Sequence, residues 1–314
     1  MTKHLTSDER RGALLSLLSV VFFAANILLL KALIVYVEAV DGWVGTLVRG
    51  AVGLVILALL YRGGRRLQWL PLIKDPVLLV RGVVGATTIA ILYLTVDHLG
   101  AGRALILNLT YPLFAAVLAA VFLRERLSWR GVICLVAGFG GLVVFFSGST
   151  QLGGFGAWDA LALFGAFLAG VVVLLIRHLR HSFHPSTIYA SQCLFSTLVA
   201  IPMCVGPAQQ VTPLAWAFLA VAAALVAAGQ LLLTHAFRVI SVAKGSGIQM
   251  LLPPLTAAGG MLFFGESYSA LETVGAVVTL GATWLLITAR TPVSRDSAVH
   301  RTTPVVKQDT PGTL

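Results

Sequence analysis

Polar residues in this chain come in short bursts, separated by stretches of 19 to 26 residues that are almost continuously apolar. None alternates with a period of two, so the strands of a membrane barrel are excluded. A hydrocarbon core about 30 Å thick needs about 20 residues of helix to cross it. Ten segments meet that length: 12–37, 43–61, 77–97, 104–123, 129–147, 157–176, 186–206, 214–237, 246–264 and 270–289. Most breaks carry turn-forming residues, namely Asp41-Gly42, Gly63-Gly64, Gly100-Ala101-Gly102, Gly153-Gly154, Pro185, Pro207 and Pro213.

Composition agrees with this pattern. Of 314 residues, 58% are hydrophobic and 11% charged, against about 45–50% and about 25% in soluble domains. A soluble globule of this size could not hide that much apolar surface, so an all-α polytopic membrane protein follows. The formal net charge of +10 would suggest nucleic acid in a soluble protein, but here the basic residues sit at the breaks. With the N-terminus cytoplasmic, the inner loops and tails, counting Arg81 and Arg177 among them, hold nineteen of the 22 Lys and Arg. Arg103 alone falls outside, and Lys31 and Arg49 lie within helices. The bias predicts a cytoplasmic-membrane protein with both termini cytoplasmic and no role in binding nucleic acid. Residues 1–11 read as a basic flank rather than a cleaved signal, and 291–314 as a disordered tail. Cys134, Cys193 and Cys204 fall in apolar runs without metal-type spacing and read as packing residues.

The chain also repeats itself. Displaced by 141 residues, Pro112 falls on Pro253, Ala116 on Ala257, Phe122 on Phe263, Glu125 on Glu266, Ser128 on Ser269 and Gly140 on Gly281, with Arg103 on Lys244. The units are 12–147 and 157–290, five helices each. Five is odd, so the second unit enters from the opposite side, giving two inverted five-helix repeats with a substrate site expected between them.

The stretch LYLTVDHLGAGRALILNLTYPLFAAVLAAVFLRERLSWRGVICLVAGFGGLVVF resembles the repeat signature of EamA-type transporters of the drug/metabolite transporter superfamily. Its features are an apolar-aromatic third helix, a small-residue turn, a Pro within the fourth helix, a terminal Glu and a Gly-rich fifth helix. The second copy, Thr234 to Ile287, keeps the order with Pro253, Glu266 and Gly275. The resemblance covers residues 12–290 and implies a carrier whose helices 1, 3, 4, 6, 8 and 9 line a central cavity, with 5 and 10 peripheral. Arg49 matches a habit of that family; Arg103 departs from its usual small or hydroxyl residue.

Intramembrane polar groups are costly in lipid, so they carry the candidate chemistry. Asn26 and Lys31 on helix 1, Tyr93 on helix 3, Asn108 on helix 4, Gln230, Thr234 and His235 on helix 8 and Gln249 on helix 9 are candidate substrate contacts, with Tyr111, Ser191 and Gln192 weaker ones. Lys31 has the alternative of reaching the outer headgroups, Asn26 of a helix–helix hydrogen bond, and His235 of a structural role at a helix end. Arg49 is too deep to stay unpaired; its possible partners are Asp97, Asp41 or a helix-end carbonyl, and a gating or structural ion pair is expected ahead of direct substrate contact. Pro112, Pro253 and Pro254 predict broken helices, and Glu125, Ser128, Glu266 and Ser269 predict caps on the helices that follow.

There is no phosphate loop, nucleophile elbow, HExxH or intrahelical carboxylate pair, so no enzyme, cofactor or metal is indicated. His178, His181 and His184 read as a basic cytoplasmic loop. Cationic and amide groups without a buried acid point to an anionic or zwitterionic substrate, an amino acid or relative, moved by alternating access and more consistent with export. A channel and a lipid-modifying membrane enzyme are the other classes the pattern leaves open. The partners implied are a small-molecule substrate and the bilayer, in a monomer or weak homodimer. Topology is tested by cysteines introduced at Thr150 and Thr310: an impermeant reagent should label the first in intact cells and spare the second. The reverse result refutes the orientation.

Overall fold

The structure, a computed structural model, describes residues 7–61, 67–99, 101–125, 128–147, 155–204, 206 and 211–288, without the side chains at 93, 97, 101 and 102. The expected tail at 291–314 lies outside the described residues. Within them the chain is helical, without strands. In order the helices are α1 (Ser7–Tyr36), α2 (Gly42–Leu60), α3 (Pro71–Lys74), α4 (Pro76–Leu99), α5 (Ala101–Asn108), α6 (Tyr111–Phe122), α7 (Trp129–Ser147), α8 (Ala157–Leu179), α9 (Pro185–Ala200), α10 (Pro213–Ala236), α11 (Val242–Ile248), α12 (Leu252–Phe264) and α13 (Ala270–Thr288).

Among the described residues, nine helical stretches are long and apolar enough to cross a membrane. Two of these nine, Arg103–Phe122 and Val242–Phe264, each join two helices across a break, α5 to α6 and α11 to α12. The segment expected at 186–206 is shorter as a helix: α9 has 16 residues and passes into a 3₁₀ turn at Ile201–Met203. Pro202 removes a helical donor there. Every residue of α9 from Pro185 to Cys193 is buried, so it is sheathed by protein. That explains its hydroxyl and amide content, since Ser186, Thr187, Ser191 and Gln192 never meet lipid. At the other extreme, α1 starts at Ser7, five residues before its apolar run, with Asp8 and Glu9 in the first turn, where carboxylates favour a helix start.

Helices pack in pairs through small residues. α7 and α13 run antiparallel, and their backbones meet at Gly141 and Gly275. A Cβ on Gly275 would sit 2.3 Å from the Phe145 amide nitrogen, and one on Gly141 would sit 2.8 Å from the Gly275 carbonyl oxygen. The Thr279 hydroxyl lies at 3.2 Å from the Gly138 carbonyl and 2.9 Å from that of Gly275. Without water to drive association, close van der Waals contact and such bonds hold membrane helices together. α2 and α9 cross the same way, with Gly50 and Gly53 against Cys193, Tyr189 and Thr197.

Two further groups complete the bundle. α4, α5, α6 and α8 pack together, as do α1, α10, α11 and α12, and α9 bridges both through α4 and α10. Leu78, Ala115, Ala119, Ile176, Leu179, Leu233, Phe237 and Val242 form one apolar cluster that joins both groups at the end where α1 begins. There α6 packs on α11, whereas at the opposite end α5 and α12 make no comparable contact. The cluster at that opposite end, including Leu33, Val44, Val48, Ala200 and Leu219, draws only on α1, α2, α9, the turn after it and α10. One end is sealed across both groups and the other is not.

Gly275→Val should fail to fold or lose much of the folded yield, because the obstruction at Gly275 is backbone that cannot swing away. Gly140→Val and Gly281→Val, where a Cβ meets nothing within 4 Å, should behave as wild type in fluorescence-detected size exclusion. Equal yields for all three variants would remove the close α7–α13 crossing from the account.

Candidate functional site

Among the described residues four ion pairs hold each of the two groups together from within, two at each end. At the unsealed end Lys31 of α1 meets the Glu266 carboxylate just past α12. Arg103 of α5 meets Asp159 of α8 at 2.6 Å. At the sealed end Arg177 of α8 meets Glu125, past α6, at 3.2 Å. Lys244 of α11 lies 4.0 Å from Glu9 of α1. Each pair of parallel helices, α1 with α11–α12 and α8 with α5–α6, is therefore clasped at both ends.

The clasps differ in quality. Lys31 and Glu266 are about a third exposed, at 33% and 36%. The Lys31 ammonium also sits 4.9 Å over the Phe264 ring, and the Tyr268 hydroxyl donates to the second Glu266 oxygen at 2.8 Å. Exposed pairs of this kind contribute about 0.2–1 kcal/mol. Glu125 is more enclosed. One oxygen takes Arg177, the other accepts the Val242 amide at 2.9 Å, and Arg177 also donates to the Phe237 carbonyl. Removing one partner from an enclosed pair costs about 3–5 kcal/mol.

These contacts correct the expected capping roles. Glu266 does not cap α13; a Ser-x-x-Glu box does. The Ser269 amide and hydroxyl donate to Glu272 at 2.7 and 2.8 Å, and the Glu272 amide returns a bond to Ser269. Glu125 caps α11, distant in sequence, rather than α7. Ser128 does cap α7, accepting the Gly131 amide at 3.0 Å. In each Glu-x-x-Ser motif the serine serves the next helix and leaves the glutamate for a cation from the other half of the sequence.

The breaks fall at the matched prolines. α5 ends at Asn108 and α6 restarts at Tyr111-Pro112; a 3₁₀ turn over Gln249–Leu251 separates α11 from α12, which restarts with Pro253-Pro254. Proline has no N–H for the carbonyl four residues back, so Pro112 and Pro253 leave the carbonyls of Asn108 and Gln249 without that bond. The Gln249 amide is spent on α1, donating to Ser19 at 2.9 Å and Ser16 at 3.4 Å. Asn26, two turns beyond Ser19 on α1 and partly buried, shares that face. Gln230 is buried and its carbonyl accepts the Thr234 hydroxyl at 2.7 Å. His235 places Nδ1 3.0 Å from the Leu231 carbonyl and packs edge-on to His184. Lys31 is committed to Glu266. The side chains of Tyr93 and Asp97 lie outside the described residues. Asp41, the other partner expected for Arg49, caps α2 by accepting the Trp43 amide at 2.7 Å. Arg49 faces Tyr189 and Cys193 of α9 instead.

Arg81 is a second correction. Counted from the sequence as a loop cation, it is fully buried, five residues into α4. Its place within the apolar run 77–97 was the available signal. Near the sealed end His184 accepts the Ser186 amide at the start of α9. Burial pushes the His181 imidazole below its ordinary value, helped by Arg177, His178, Arg180 and Arg238. Among the described residues no three His, Cys, Asp or Glu side chains are placed to hold a metal.

Bonds from Lys31, then from Tyr268, hold the Glu266 carboxyl below its usual value of 4.5. A depressed carboxyl stabilises the fold above its unfolded value and loses that contribution as pH falls through the folded one. As pH falls below about 4.5, wild type should therefore lose about 0.2–1 kcal/mol more stability than Glu266→Gln. Parallel pH–melting curves for the two proteins would remove the clasp.

The profile of the EamA-like transporter family matches residues 10–147 and 156–288. Among characterised proteins, the pseudopaline exporter CntI of Pseudomonas aeruginosa, in strains UCBPP-PA14 and PAO1, is 31% identical over 220 residues, spanning 66% of this chain and 73% of its own. One solved crystal structure superposes with a TM-score of 0.69 over 87% of this chain and 95% of its own, at 17% identity, a likeness of fold alone.

Proposed function

The chain belongs to the EamA-like transporter family of the drug/metabolite transporter superfamily, and from that premise we propose a ten-helix carrier that exports a small zwitterionic or anionic metabolite across the cytoplasmic membrane by alternating access. The tenth span is α9, too short by itself but buried among the others. The halves, residues 12–147 and 157–290, form inverted repeats. Exchanging them maps α1 on α8, α2 on α9, α4 on α10, α5–α6 on α11–α12, and α7 on α13. Under that exchange the packing of α1 on α10 becomes that of α8 on α4, and α2–α9 and α7–α13 map on themselves. The four clasps exchange too, Lys31–Glu266 with Arg177–Glu125 and Arg103–Asp159 with Lys244–Glu9. This paired exchange is the observation that carries the proposal, because it makes the two ends chemically alike and able to trade places.

Placing both termini in the cytoplasm makes the sealed end the inner one, and the described conformation outward-facing. The moving bodies are then hybrid: α1 with α10–α12, and α8 with α4–α6, each built from both repeats. We assign the substrate to Asn26 on α1, Gln230 on α10, and Gln249 and Asn108 at the breaks of α11–α12 and α5–α6, because amide groups suit a carboxylate and an ammonium on one small molecule. The name of a relative 31% identical, an exporter, supports the direction. The carrier acts as a monomer or weak homodimer without a cofactor.

Counterflow into proteoliposomes across a panel of amino acids, amino-acid derivatives and organic acids tests the reading. We expect saturable exchange of one class, with KM raised about tenfold or more by Asn26→Ala, Gln230→Ala or Gln249→Ala, the loss of about 1.4 kcal/mol of binding. Unsaturable, voltage-driven flux would indicate a channel, and consumption of a lipid an enzyme; either outcome ends the carrier proposal.

A further inference from the structure

Between α2, α4 and α9 lies a cluster that the transport reading does not use. Arg81 is fully buried, and its Nη2 donates to Gln192 Oε1 at 2.9 Å. Its Nε and Nη1, carrying three N–H groups, are buried without an acceptor, as is the Ser196 hydroxyl on α9, and the Tyr189 hydroxyl stands beside Cys193 and Arg49. Arg49 approaches from α2 and faces Tyr189 and Cys193. Two guanidinium charges thus converge on one seam.

Nothing in the seam's helices neutralises them. α2, α9 and α10 contain no Asp or Glu at all, and the one acid of α4, Asp97, lies sixteen residues and about 24 Å along the axis from Arg81. Asp75, just before α4, is occupied in capping it, accepting the Val77 and Leu78 amides at 2.9 Å. The backbone leaves the polar heads their space: a Cβ on Gly85 would stand 2.5 Å from Arg81 Nη1, and one on Gly53 3.2 Å from the Tyr189 hydroxyl. A buried charge without a partner is expensive, while unshared guanidinium donors make strong charge-assisted bonds to an anion, to which a neighbouring phenol can add its own.

We propose that Arg81, with Tyr189 and Gln192 and the field of Arg49, forms a binding site for one monovalent anion, a halide or a carboxylate group, in the seam between α4 and α9. Gln192 orients the guanidinium, so that Nε and Nη1 face the anion beside the Tyr189 hydroxyl. The orphaned atoms are shut off from solvent in this conformation, so the anion enters as α4 and α9 part at the sealed end. By linkage, its binding favours that parted conformation. The inference rests on the fold and is read without transport, so a carrier inactive on every substrate tried would leave it standing.

The test is the melting temperature of the full-length protein in detergent at constant pH and ionic strength, titrated from isethionate, a bulky sulfonate, into chloride or into acetate. Wild type should gain a saturable rise of about 2–6 °C. Arg81→Gln should lose it, and Tyr189→Phe should shift the half-saturating concentration upward about threefold or more. Should Arg81→Gln fail to fold, Tyr189→Phe decides by itself. A response to chloride and acetate alike identifies a free inorganic anion as sufficient, and a response to acetate alone identifies a carboxylate, as on a substrate. A wild-type melting temperature indifferent to both anions, a full response in Arg81→Gln, or an unshifted one in Tyr189→Phe overturns the site.

Discussion

Glu125 takes the Arg177 guanidinium on one carboxylate oxygen and the Val242 amide on the other, joining α8, the end of α6 and the start of α11 in one contact. α6 and α11 can therefore lie together at that end, and the apolar cluster from Leu78 to Val242 closes behind them. At the other end Glu266 binds Lys31 and Tyr268 and reaches no third helix in this way. The same residue at the matched position seals one end and only clasps the other. With that difference goes the contact of α6 with α11 at one end and the lack of a comparable one between α5 and α12 at the other.

Close backbone packing supplies the frame for that asymmetry. α7 and α13 approach until Gly141 and Gly275 leave no room for a Cβ, and the Thr279–Gly138 bond joins residues 141 positions apart, the displacement of the repeat itself. Such a crossing is a fixed pivot: side-chain atoms can yield, but abutting backbones cannot. α2 and α9 form the second crossing. In the proposed carrier, the helices that are clasped rather than jammed, α1 with α11–α12 and α8 with α5–α6, are the units that move.

Much of the fold could be read in the sequence because lipid imposes one requirement per span, a length of apolar helix. α7 and α13 fall almost where the apolar runs place them. α9 does not: the run 186–206 reads as one full span, but the helix stops at Ala200 and passes into a 3₁₀ turn at Pro202, and a helix wrapped in protein needs neither the full length nor an apolar surface. The breaks at Pro112 and Pro253 were legible since proline's missing donor acts locally. Pairings were not. Lys31 and Glu266 are 235 residues apart, and nothing in periodicity says which acid a cation will meet. Capping logic assigned Glu125 and Glu266 to the nearest helix, when Ser128 and the Ser269–Glu272 box met that need and freed both glutamates. Arg81 was taken for a flank because charge at a helix start normally reaches water; here α9 covers it. Of the candidate contacts, Gln249 and Lys31 turned out to be engaged with protein partners in this conformation, which sequence alone gives no means of seeing.

The central claim is that the two ends trade states. Spin labels at Leu105 and Leu255 report across the parted halves α5 and α12, and labels at Phe122 and Val239 report across the sealed end beside α6 and α11. In liposomes, a transported substrate should populate a second conformation in which the first distance shortens while the second lengthens. Distances that change in the same direction, or that stay fixed while counterflow proceeds, would contradict the account.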